Sequence, residues 1–356
     1  MFIINRILWI LNILAGLALL FSYLSPFVNP GYIWMVAFFG LAYPILIAAN
    51  LLFILYWLIS GKLKLIFSLV CVLIGYNHLP KLLKINGQEK AKEDADIVLV
   101  SMNVSNFGLR NGSQFVDTFS QYIKNIEADI LCLQEFVETK KNEKHLTKIN
   151  RLSKRKYYLI QGKQPGALIG PAIFSRFKPI RSGYLSFGTG ATNGVVWADL
   201  LLPGKDTVRI YSCHFQSNRL GAAEQLNPED VQDQEVAKRK TKNLVRRLKN
   251  GFERRAKQVA LVEEHILECP YPVIIAGDFN DTQLSYTYRR MSKNRIDAFV
   301  ESGEGLGNTY VGPFPSYRID YIFFDPYFKS YNYRNGPHFE SDHKLIQVLL
   351  KRQGHN

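Results

Sequence analysis

Acidic residues are absent from the first eighty positions of this 356-residue chain, which carry only three lysines and arginines: Arg6, Lys62 and Lys64. The remaining 276 residues therefore hold 41 of the 44 basic and all 30 acidic residues, and +11 of the formal net charge of +14. A basic body of this kind indicates an anionic partner, such as nucleic acid, phosphorylated lipid headgroups or a membrane surface. The alternative is that the charge serves only solubility.

Cysteine is also scarce, and the four cysteines form no CxxC motif and no Cys/His ligand spacing. This argues against a disulfide framework and against a structural zinc site. The chain also has no GxSxG nucleophile motif and no Walker loop. The chemistry of the polar body must therefore rest on other residue types.

Long apolar stretches do occur, at about 7–25, 32–60 and 63–80. A helix needs about 20 apolar residues to cross a bilayer core. The first two stretches are long enough, and the short third one has flanking lysines that can reach both interfaces. We predict a transmembrane anchor of three helices over residues 1–80. A cleaved signal peptide is the rival for the first stretch, but no convincing cleavage site follows it.

The charges of the loops predict the orientation of this anchor. Arg6 precedes the first stretch, and Lys62 and Lys64 lie between the second and third stretches. The positive-inside rule puts both regions in the cytoplasm. With three spans, the chain is an integral protein of the cell membrane whose C-terminal body lies on the exoplasmic side. If the third stretch does not cross, the body is cytoplasmic.

After a polar linker over 81–95, short β-rich apolar runs alternate with amphipathic segments, a pattern typical of an α/β protein. The predicted strands are 97–103, 130–134, 157–160, 172–174, 195–202, 208–215, 273–279, 319–324 and 345–350. Helices are predicted over 115–126 and 256–267.

A long polar insertion at about 216–257 follows one of these strands, and ten basic residues fall between positions 238 and 257. Leu244, Leu248, Phe252 and Val259 recur at helical spacing, which predicts a basic amphipathic helix. Its basic face would meet phosphates or a membrane. Alternatively, the helix is solvated and its apolar stripe packs on the body.

Several predicted strands end in, or are followed by, a polar residue suited to metal or phosphate chemistry, and sites are often built on such loops. These residues are the carboxylates Glu135, Asp278, Asp320 and Asp342, the amides Asn103 and Asn280, and the imidazoles His214 and His343. Oxygen-rich sets suit magnesium. Phosphoryl transfer needs mainly a placed water and neutralised charge.

Six segments in order carry a resemblance: SMNVSNFG, DILCLQE, YSCHFQS, AGDFND, YRIDYIFF and SDH. Together they resemble the endonuclease/exonuclease/phosphatase superfamily, over residues 96 to 350. The resemblance implies a four-layer α/β sandwich of two packed mixed sheets flanked by helices. It also implies a catalytic domain over 96–353, interrupted by the basic insertion, with the site between two sheet edges.

The resemblance implies a role for each of these polar residues. Glu135 would hold Mg²⁺, with Mn²⁺ as a possible substitute. Asn103 would brace Glu135, and Asp342 would be a further carboxylate near the metal.

For the reacting groups, Asp278 would orient or deprotonate the attacking water, and Asn280 would donate to the phosphoryl oxygens. His343 would contact the phosphate as a cation held by Asp320. His214 would touch the phosphate or the leaving oxygen.

The substrate is less well defined, because variable loops would contact its hydroxyl-bearing part. The candidate substrate contacts are Arg318, Tyr310 and Gln216.

We expect a membrane-anchored phosphoesterase that hydrolyses phosphomono- or phosphodiesters. A lipid-linked phosphate is favoured, because the anchor holds the site near a bilayer. The alternative is a membrane-tethered nuclease, which the basic insertion favours. A third alternative is a membrane protein that binds anionic ligands without turnover. No obligate protein partner is inferred.

Overall fold

The computed structural model describes residues 2–90, 92, 95–107, 112–137, 145–162, 169–188, 192–218, 233–312 and 316–353. The N-terminal part is helical. Its elements are α1 (Phe2–Ser22), α2 (Met35–Leu41), α3 (Tyr43–Ile59), α4 (Leu65–Ile74), a 3-10 turn (Tyr76–His78) and α5 (Leu79–Leu82).

One helix, at Ile3–Ser22, is by itself long and apolar enough to cross a membrane. Helices α2 and α3 are bent by 62° at their junction, and α4 is bent by 57° against the short helical segment that ends at Leu82. Among the residues that the structure describes, the number of candidate spans rises to three if each bent pair is one span. Pro44 lies in the first turn of α3, where a missing N–H is tolerated.

A buried polar network joins α1, α3 and α4. Trp57 Nε1 donates to Asn12 Oδ1 over 2.7 Å, and Ser68 Oγ donates to Asn50 Oδ1 over 2.9 Å. The Asn12 amide in turn donates to Ser68 Oγ. Polar side chains are costly in an apolar bundle unless they pair. This network therefore specifies how the three helices pack.

The described residues of the rest of the chain form two six-stranded mixed sheets and five helices. The strands are β1 (Ile97–Phe107), β2 (Ile130–Val137), β3 (Tyr158–Gln161), β4 (Ile169–Ser175), β5 (Lys178–Ser186), β6 (Gly194–Leu201), β7 (Thr207–His214), β8 (Val273–Asp278), β9 (Ile296–Asp297), β10 (Asp320–Phe324), β11 (Phe328–Asn335) and β12 (Ile346–Arg352). The helices are α6 (Gly112–Ile126), α7 (His145–Ser153), α8 (Gln234–Leu267), α9 (Tyr286–Met291) and α10 (Ala298–Ser302).

The strand order is β11-β12-β1-β2-β4-β3 in the first sheet and β5-β6-β7-β8-β10-β9 in the second. Alternate side chains of each sheet form a shared core between them, with Leu99 of β1 and Ile210 of β7 among its members. The outer face of the first sheet packs on α6 through Phe119, and that of the second packs on α8 through Val259. The predicted four-layer sandwich is confirmed.

Three strands escaped the sequence prediction, and one helix is longer than predicted. Strands β5, β9 and β11 form edges of their sheets, where one side is open and polar residues are accepted, so their apolar signal is weak. Helix α8 runs unbroken for 34 residues. It unites the basic half of the predicted insertion with the predicted helix at 256–267.

The apolar stripe of α8 packs on the helical N-terminal part of the chain. Leu248 and Phe252 form a buried cluster with Ala37 of α2, and the Phe252 ring meets the Phe38 ring edge-on at 5.3 Å. Lys249 lies over the Trp34 ring at 5.2 Å. The stripe therefore packs on other parts of the protein, and at Leu248 and Phe252 its partner is α2 rather than the body.

A second contact joins the helical part to the loop after β8. Leu284 belongs to the same buried cluster as Leu19 and Tyr43, and Thr282 Oγ1 donates to the Gly40 carbonyl oxygen over 3.5 Å. A Cβ atom on Gly40 would lie 2.3 Å from the Leu284 carbonyl oxygen. The loop and α2 can therefore approach this closely only because position 40 is glycine.

Candidate active site

The strand registers bring three of the predicted residues together at one end of the inner strands of the second sheet. Asp278 ends β8, and its neighbours are His214 on parallel β7 and Asp320 on antiparallel β10. The first sheet contributes Asn103, whose partner on β2 is the residue before Glu135. The site lies where these strand ends of the two sheets meet.

Close packing of β7 and β8 makes this arrangement possible. Gly277 has a φ of +143°, and a Cβ atom there would lie 2.0 Å from the carbonyl oxygen of Cys213. Only glycine combines this backbone conformation with such a close approach. The glycine thus allows the next residue pair, His214 and Asp278, to be neighbours.

The Asp278 carboxylate is the centre of the site and is 1% exposed. Asn103 Nδ2 donates to its Oδ2 over 3.0 Å, and Asn280 donates from its backbone N to Oδ1 over 2.8 Å and from Nδ2 to Oδ2 over 2.9 Å. His343 Nε2 lies 3.7 Å from Oδ2. Burial raises the pKa of Asp278, while His343 and the Asn103 hydrogen bond oppose that rise.

Asn280 therefore has a different setting from the predicted one. Its side-chain Nδ2 donates to Asp278 and also to the Phe215 carbonyl oxygen over 3.2 Å. Its φ is +52°, a left-handed conformation that asparagine tolerates. In this structure Asn280 orients Asp278, and its amide donors are engaged by the protein rather than directed at a phosphoryl group.

Glu135 is a half-buried carboxylate of the site, with 25% of its side chain accessible. Its φ is +52°, which breaks the regular register of β2 and is a strain typical of functional positions. Its Oε1 accepts a long hydrogen bond from Asn103 Nδ2 at 3.4 Å and lies 3.7 Å from His214 Nε2. Its carboxylate thus keeps acceptor capacity toward solvent.

This donor set fits Mg²⁺ or Mn²⁺, which bind through one or two carboxylates and keep several waters. Glu135 supplies the accessible carboxylate and Asp278 a buried one nearby. Asn103 donates to both carboxylates, and its Oδ1 accepts from the Ser105 backbone N over 3.0 Å. Asn103 therefore holds the two carboxylates in place, and its side-chain oxygen is directed at Ser105 rather than at a cation.

His343 and Asp320 form a buried pair. His343 Nδ1 lies 2.9 Å from Asp320 Oδ2, and the side chains are 5% and 0% exposed. Burial alone would lower the pKa of His343, but the negative charges of Asp320 and Asp278 outweigh it and raise that pKa to about 10. The imidazole is therefore cationic at neutral pH.

Potential ligand atoms of Asp278, Asp320 and His343 also lie within 4.8 Å of one another. A cationic imidazole has no free lone pair to offer a metal. This trio is a group that could hold a metal ion, and within it His343 Nδ1 is already paired with Asp320 Oδ2 at 2.9 Å.

Two further predicted residues border the His343 ring. Tyr310 pairs with His343 in an isolated β-bridge, with ring centroids 5.7 Å apart. Asp342 is exposed, and its carbonyl oxygen accepts from the Val311 backbone N over 2.8 Å. The structure thus brings Tyr310 to the site and leaves the Asp342 side chain at its rim.

Arg318 and Gln216 are placed elsewhere. The Arg318 guanidinium is buried, pairs with Asp297 at 2.8 Å and donates to the Lys81 carbonyl oxygen over 2.9 Å. The prediction that Arg318 contacts substrate is therefore not supported: this side chain joins α5 to the catalytic domain. Gln216 accepts from Arg254 on α8 over 3.4 Å and lies beside that helix, not beside Asp278.

Three supporting residues were missed by the sequence analysis. Asn193 Nδ2 donates to the Phe215 carbonyl oxygen over 2.8 Å and lies 3.4 Å from His214 Nε2. Ser341 Oγ donates to the Asn103 carbonyl oxygen over 2.7 Å and accepts from the His343 backbone N. Thr309 Oγ1 accepts from the Asp320 backbone N. Ser341 is the first residue of the SDH segment, and Asn193 lies just before a predicted strand; these signals could have drawn attention to the two residues.

A two-sheet sandwich that gathers carboxylates, amides and imidazoles between its sheet edges is the architecture of hydrolases acting on phosphate esters. Residues 100–343 match the model of the endonuclease/exonuclease/phosphatase family, and the chain belongs to that family. Residues 5–82 match a separate model, that of a domain of unknown function. No curated protein matches the chain in sequence.

Solved structures of low sequence identity share the fold. An endonuclease/exonuclease/phosphatase from Bacteroides vulgatus is 18% identical, with a TM-score of 0.53 over 72% of this chain and 99% of that one. Humanized D. rerio TDP2 is 19% identical, with a TM-score of 0.51 over 72% and 98%. An endonuclease/exonuclease/phosphatase from Beutenbergia cavernae is 16% identical, with a TM-score of 0.51 over 73% and 72%.

Gly277→Ala should lower the free energy of unfolding by roughly 3 kcal/mol, because it adds an overpacked contact to a strained φ. Chemical denaturation of the purified protein would measure the loss. Gly188→Ala is the matched control: its φ is +127°, but no atom lies within 4 Å of the added Cβ. Equal losses in the two variants would show that the β7–β8 contact is not the constraint.

Asp320→Asn should move the alkaline limb of the activity profile to lower pH. Asp320, together with Asp278, raises the pKa of His343 to about 10, so the cation, and any activity that needs it, is lost only as pH rises through that value. Without the carboxylate, the same loss should begin nearer the unperturbed histidine pKa of about 6.5. A pH series of kcat/KM measures the limb, and an unmoved limb would contradict the role of the pair.

Proposed function

We propose that this protein is a membrane-anchored phosphoesterase, dependent on Mg²⁺ or Mn²⁺, that hydrolyses a phosphomono- or phosphodiester on a lipid-linked substrate. The observation that carries the proposal is the contact between the site's own loop and the helical anchor. Thr282, two residues after Asn280, donates to the Gly40 carbonyl oxygen, and Leu284 is buried among anchor residues. The active site and the candidate membrane helices therefore belong to one packed unit.

The groups of the site divide the chemistry between them. Glu135 would hold the cation with Asp278 nearby, and the bound cation would neutralise charge on the phosphoryl oxygens. Asp278, a buried carboxylate with a raised pKa, is suited to accept a proton from the attacking water. Asn103 and Asn280 hold that carboxylate in place.

The imidazoles stabilise charge on the phosphoryl group. His343, held cationic by Asp320, would lie against the phosphoryl oxygens as negative charge builds up in the transition state. His214 lies between the two acidic groups, 3.7 Å from Glu135 and 3.8 Å from Asp278. It is placed to contact either the phosphate or the leaving oxygen.

A membrane-tethered nuclease is the second candidate. The basic residues of α8 favour it, because binding to a nucleic acid backbone is dominated by contacts between phosphates and Lys or Arg. The similarity to humanized D. rerio TDP2 concerns the fold alone at 19% identity. The loop after β8 packs on the candidate membrane helices. This contact favours a lipid-linked substrate over nucleic acid.

We also propose that the catalytic domain lies on the exoplasmic side. Lys64 lies over the rings of both Trp9 and Trp57, at 5.0 and 4.9 Å, a cation–aromatic group typical of a membrane interface. The catalytic domain contacts the opposite ends of these helices, through Gly40 and Lys81. If the lysine-bearing end is cytoplasmic, the catalytic domain is outside.

The substrate class can be tested by product release from the detergent-solubilised full chain with Mg²⁺. Phosphatidic acid, sphingomyelin and plasmid DNA would be assayed side by side. We expect turnover of a lipid, and Glu135→Gln should lower it by about a thousandfold or more, since removal of one charge-stabilising group commonly costs that much. Glu301→Gln is the matched control, since Glu301 bonds Ser330 away from the site. Cleavage of DNA alone would favour the nuclease.

The membrane side can be tested with a membrane-impermeant maleimide on intact cells. In a Cys269→Ser background, Lys205→Cys in the exposed turn between β6 and β7 should be labelled, because that turn belongs to the catalytic domain. Leu63→Cys, at the other end of the helices and 79% exposed in the structure, should be labelled only after lysis. The reverse pattern would place the catalytic domain in the cytoplasm.

A further inference from the structure

The segment that leaves the candidate membrane helices pairs with a loop of the catalytic domain. Lys84, two residues after α5, exchanges two backbone hydrogen bonds with Gly305, of 2.9 and 2.8 Å. In an antiparallel pair of this kind, the residue before one partner lies opposite the residue after the other. Leu83 is therefore opposite Leu306. We call these two segments, 83–85 and 304–306, the ribbon.

The ribbon presents apolar side chains to its surroundings. Leu83 and Leu306 are 49% and 51% exposed, and Ile85 is 79% exposed. Leu306 occupies a turn between Gly305 and Gly307, whose φ angles of +75° and +61° are ones that glycine readily adopts. Single exposed leucines are ordinary, but three neighbouring apolar side chains at the end of candidate membrane helices indicate an interaction surface.

The position of the ribbon along the helices indicates what it contacts. Lys64, just before α4, lies over the rings of Trp9 and Trp57, as at a headgroup interface. From there α4 rises about 15 Å over its ten residues. The segment that ends at Leu82 is bent by 57° and adds roughly 6 Å along the same axis. Both together fall short of a bilayer core of about 30 Å. In a bilayer whose one interface is at Lys64, Leu83 therefore lies at the depth of lipid rather than of water.

The same end of the helices carries further groups that suit a headgroup layer. Phe27, in the connection between α1 and α2, is exposed and lies under the Arg289 guanidinium at 4.3 Å. Lys249 lies over the Trp34 ring at 5.2 Å. Aromatic rings beside cationic side chains are typical of the boundary between lipid and water. These groups place a second interface at the end of the helices from which the ribbon extends.

The loop that carries Leu306 continues into the active site. Thr309, three residues further on, accepts a hydrogen bond from the Asp320 backbone N, and the Tyr310 ring lies beside the His343 ring. The Cα atoms of Leu306 and Tyr310 are at most about 14 Å apart, the reach of four extended residues. That distance is less than the roughly 20 Å thickness of one leaflet. Contact of the ribbon with lipid therefore keeps the rim of the site close to the bilayer surface.

We propose that the apolar side chains of the ribbon insert into the lipid surface of the membrane and hold the rim of the active site at the headgroups. This inference rests on the proposed function and adds the contact that positions the site for substrates in the bilayer. The occupant is the bilayer rather than a protein partner, because Leu83 directly follows the last candidate membrane segment. Glu304, next to Gly305 in the ribbon, is exposed and would face the headgroups.

The test places a fluorescent probe on the ribbon. In a Cys269→Ser background, in which the other three cysteines are buried, Leu306→Cys is labelled with a nitrobenzoxadiazole maleimide. The full chain is then reconstituted in phosphatidylcholine vesicles. Nitroxide groups on the lipid acyl chains should quench the probe, and its emission should shift to the blue, because hydrocarbon surrounds it. The matched control is Leu267→Cys, 82% exposed at the last residue of α8, which should show neither change.

Co-flotation with the vesicles separates the ways in which this test can fail. A chain that does not float with the vesicles would overturn the membrane anchor and the ribbon contact together. A chain that floats, but shows no quenching at position 306 or equal quenching at positions 306 and 267, would overturn the ribbon contact alone. The quenching does not depend on turnover, so it decides the contact whatever the substrate is.

Kinetics give a second readout. Leu83→Ser/Leu306→Ser should raise KM for dioleoyl phosphatidic acid in vesicles at least about tenfold, since removing one leucine side chain from hydrocarbon changes an equilibrium by roughly that factor. The kcat, and KM for water-soluble dibutanoyl phosphatidic acid, should not change. The matched control is Leu201→Ser/Leu267→Ser, which alters two exposed leucines outside the ribbon.

An equal rise in KM for both substrates, or an equal effect of the control variant, would contradict the contact. If phosphatidic acid is not hydrolysed, the proposed function fails for this lipid, and the quenching still decides whether the ribbon lies in the bilayer.

Discussion

Burial of one carboxylate, that of Asp278, is the constraint on which the site depends. A buried anion is costly unless donors and cations surround it, and here the donors come from both sheets. Asn103 reaches it from β1 of the first sheet, whereas Asn280 and the His343–Asp320 pair belong to the second sheet and the segment before β12. The two sheets must therefore be aligned where these strands end, while the close contact at Gly277 fixes β8 against β7 within the second sheet.

The same end of the sheets is coupled to the helical N-terminal part. Directly after Asn280, Asp281 pairs with the buried Arg255 of α8, and Thr282 contacts Gly40 of α2. On the far side of the second sheet, Arg318 joins Asp297 to the Lys81 carbonyl oxygen, two residues before Asp320. Both sides of the reacting cluster are thus braced against the candidate membrane helices. The orientation of the site relative to those helices is a property of the packing and not of a free linker.

Helix α8 connects these features, because its different faces contact different parts of the molecule. Leu248 and Phe252 pack on α2, whereas Val259 packs on the second sheet and Arg246 and Arg254 line a polar pocket beside Gln216. A helix of 34 residues is about 51 Å long at 1.5 Å per residue, long enough to contact both the N-terminal helices and the sandwich. Its basic composition alone did not distinguish a solvated surface from a binding surface.

The sequence by itself determined the class of fold and the identity of the polar groups at the strand ends. Apolar runs of strand length and the polar residues at their ends, such as Asp278 at the end of β8, are local features that need no knowledge of distant partners. The tertiary structure decided which groups meet. Arg318 looked like a substrate contact beside Asp320, yet its partner Asp297 lies 21 residues earlier and draws it into a buried ion pair. The same physical reason explains why the sequence did not indicate the roles of the donors Asn193 and Ser341, the edge strands β5 and β11, or the partner of the α8 stripe. Long-range packing and hydrogen bonding determine these roles, and no local sequence pattern encodes them.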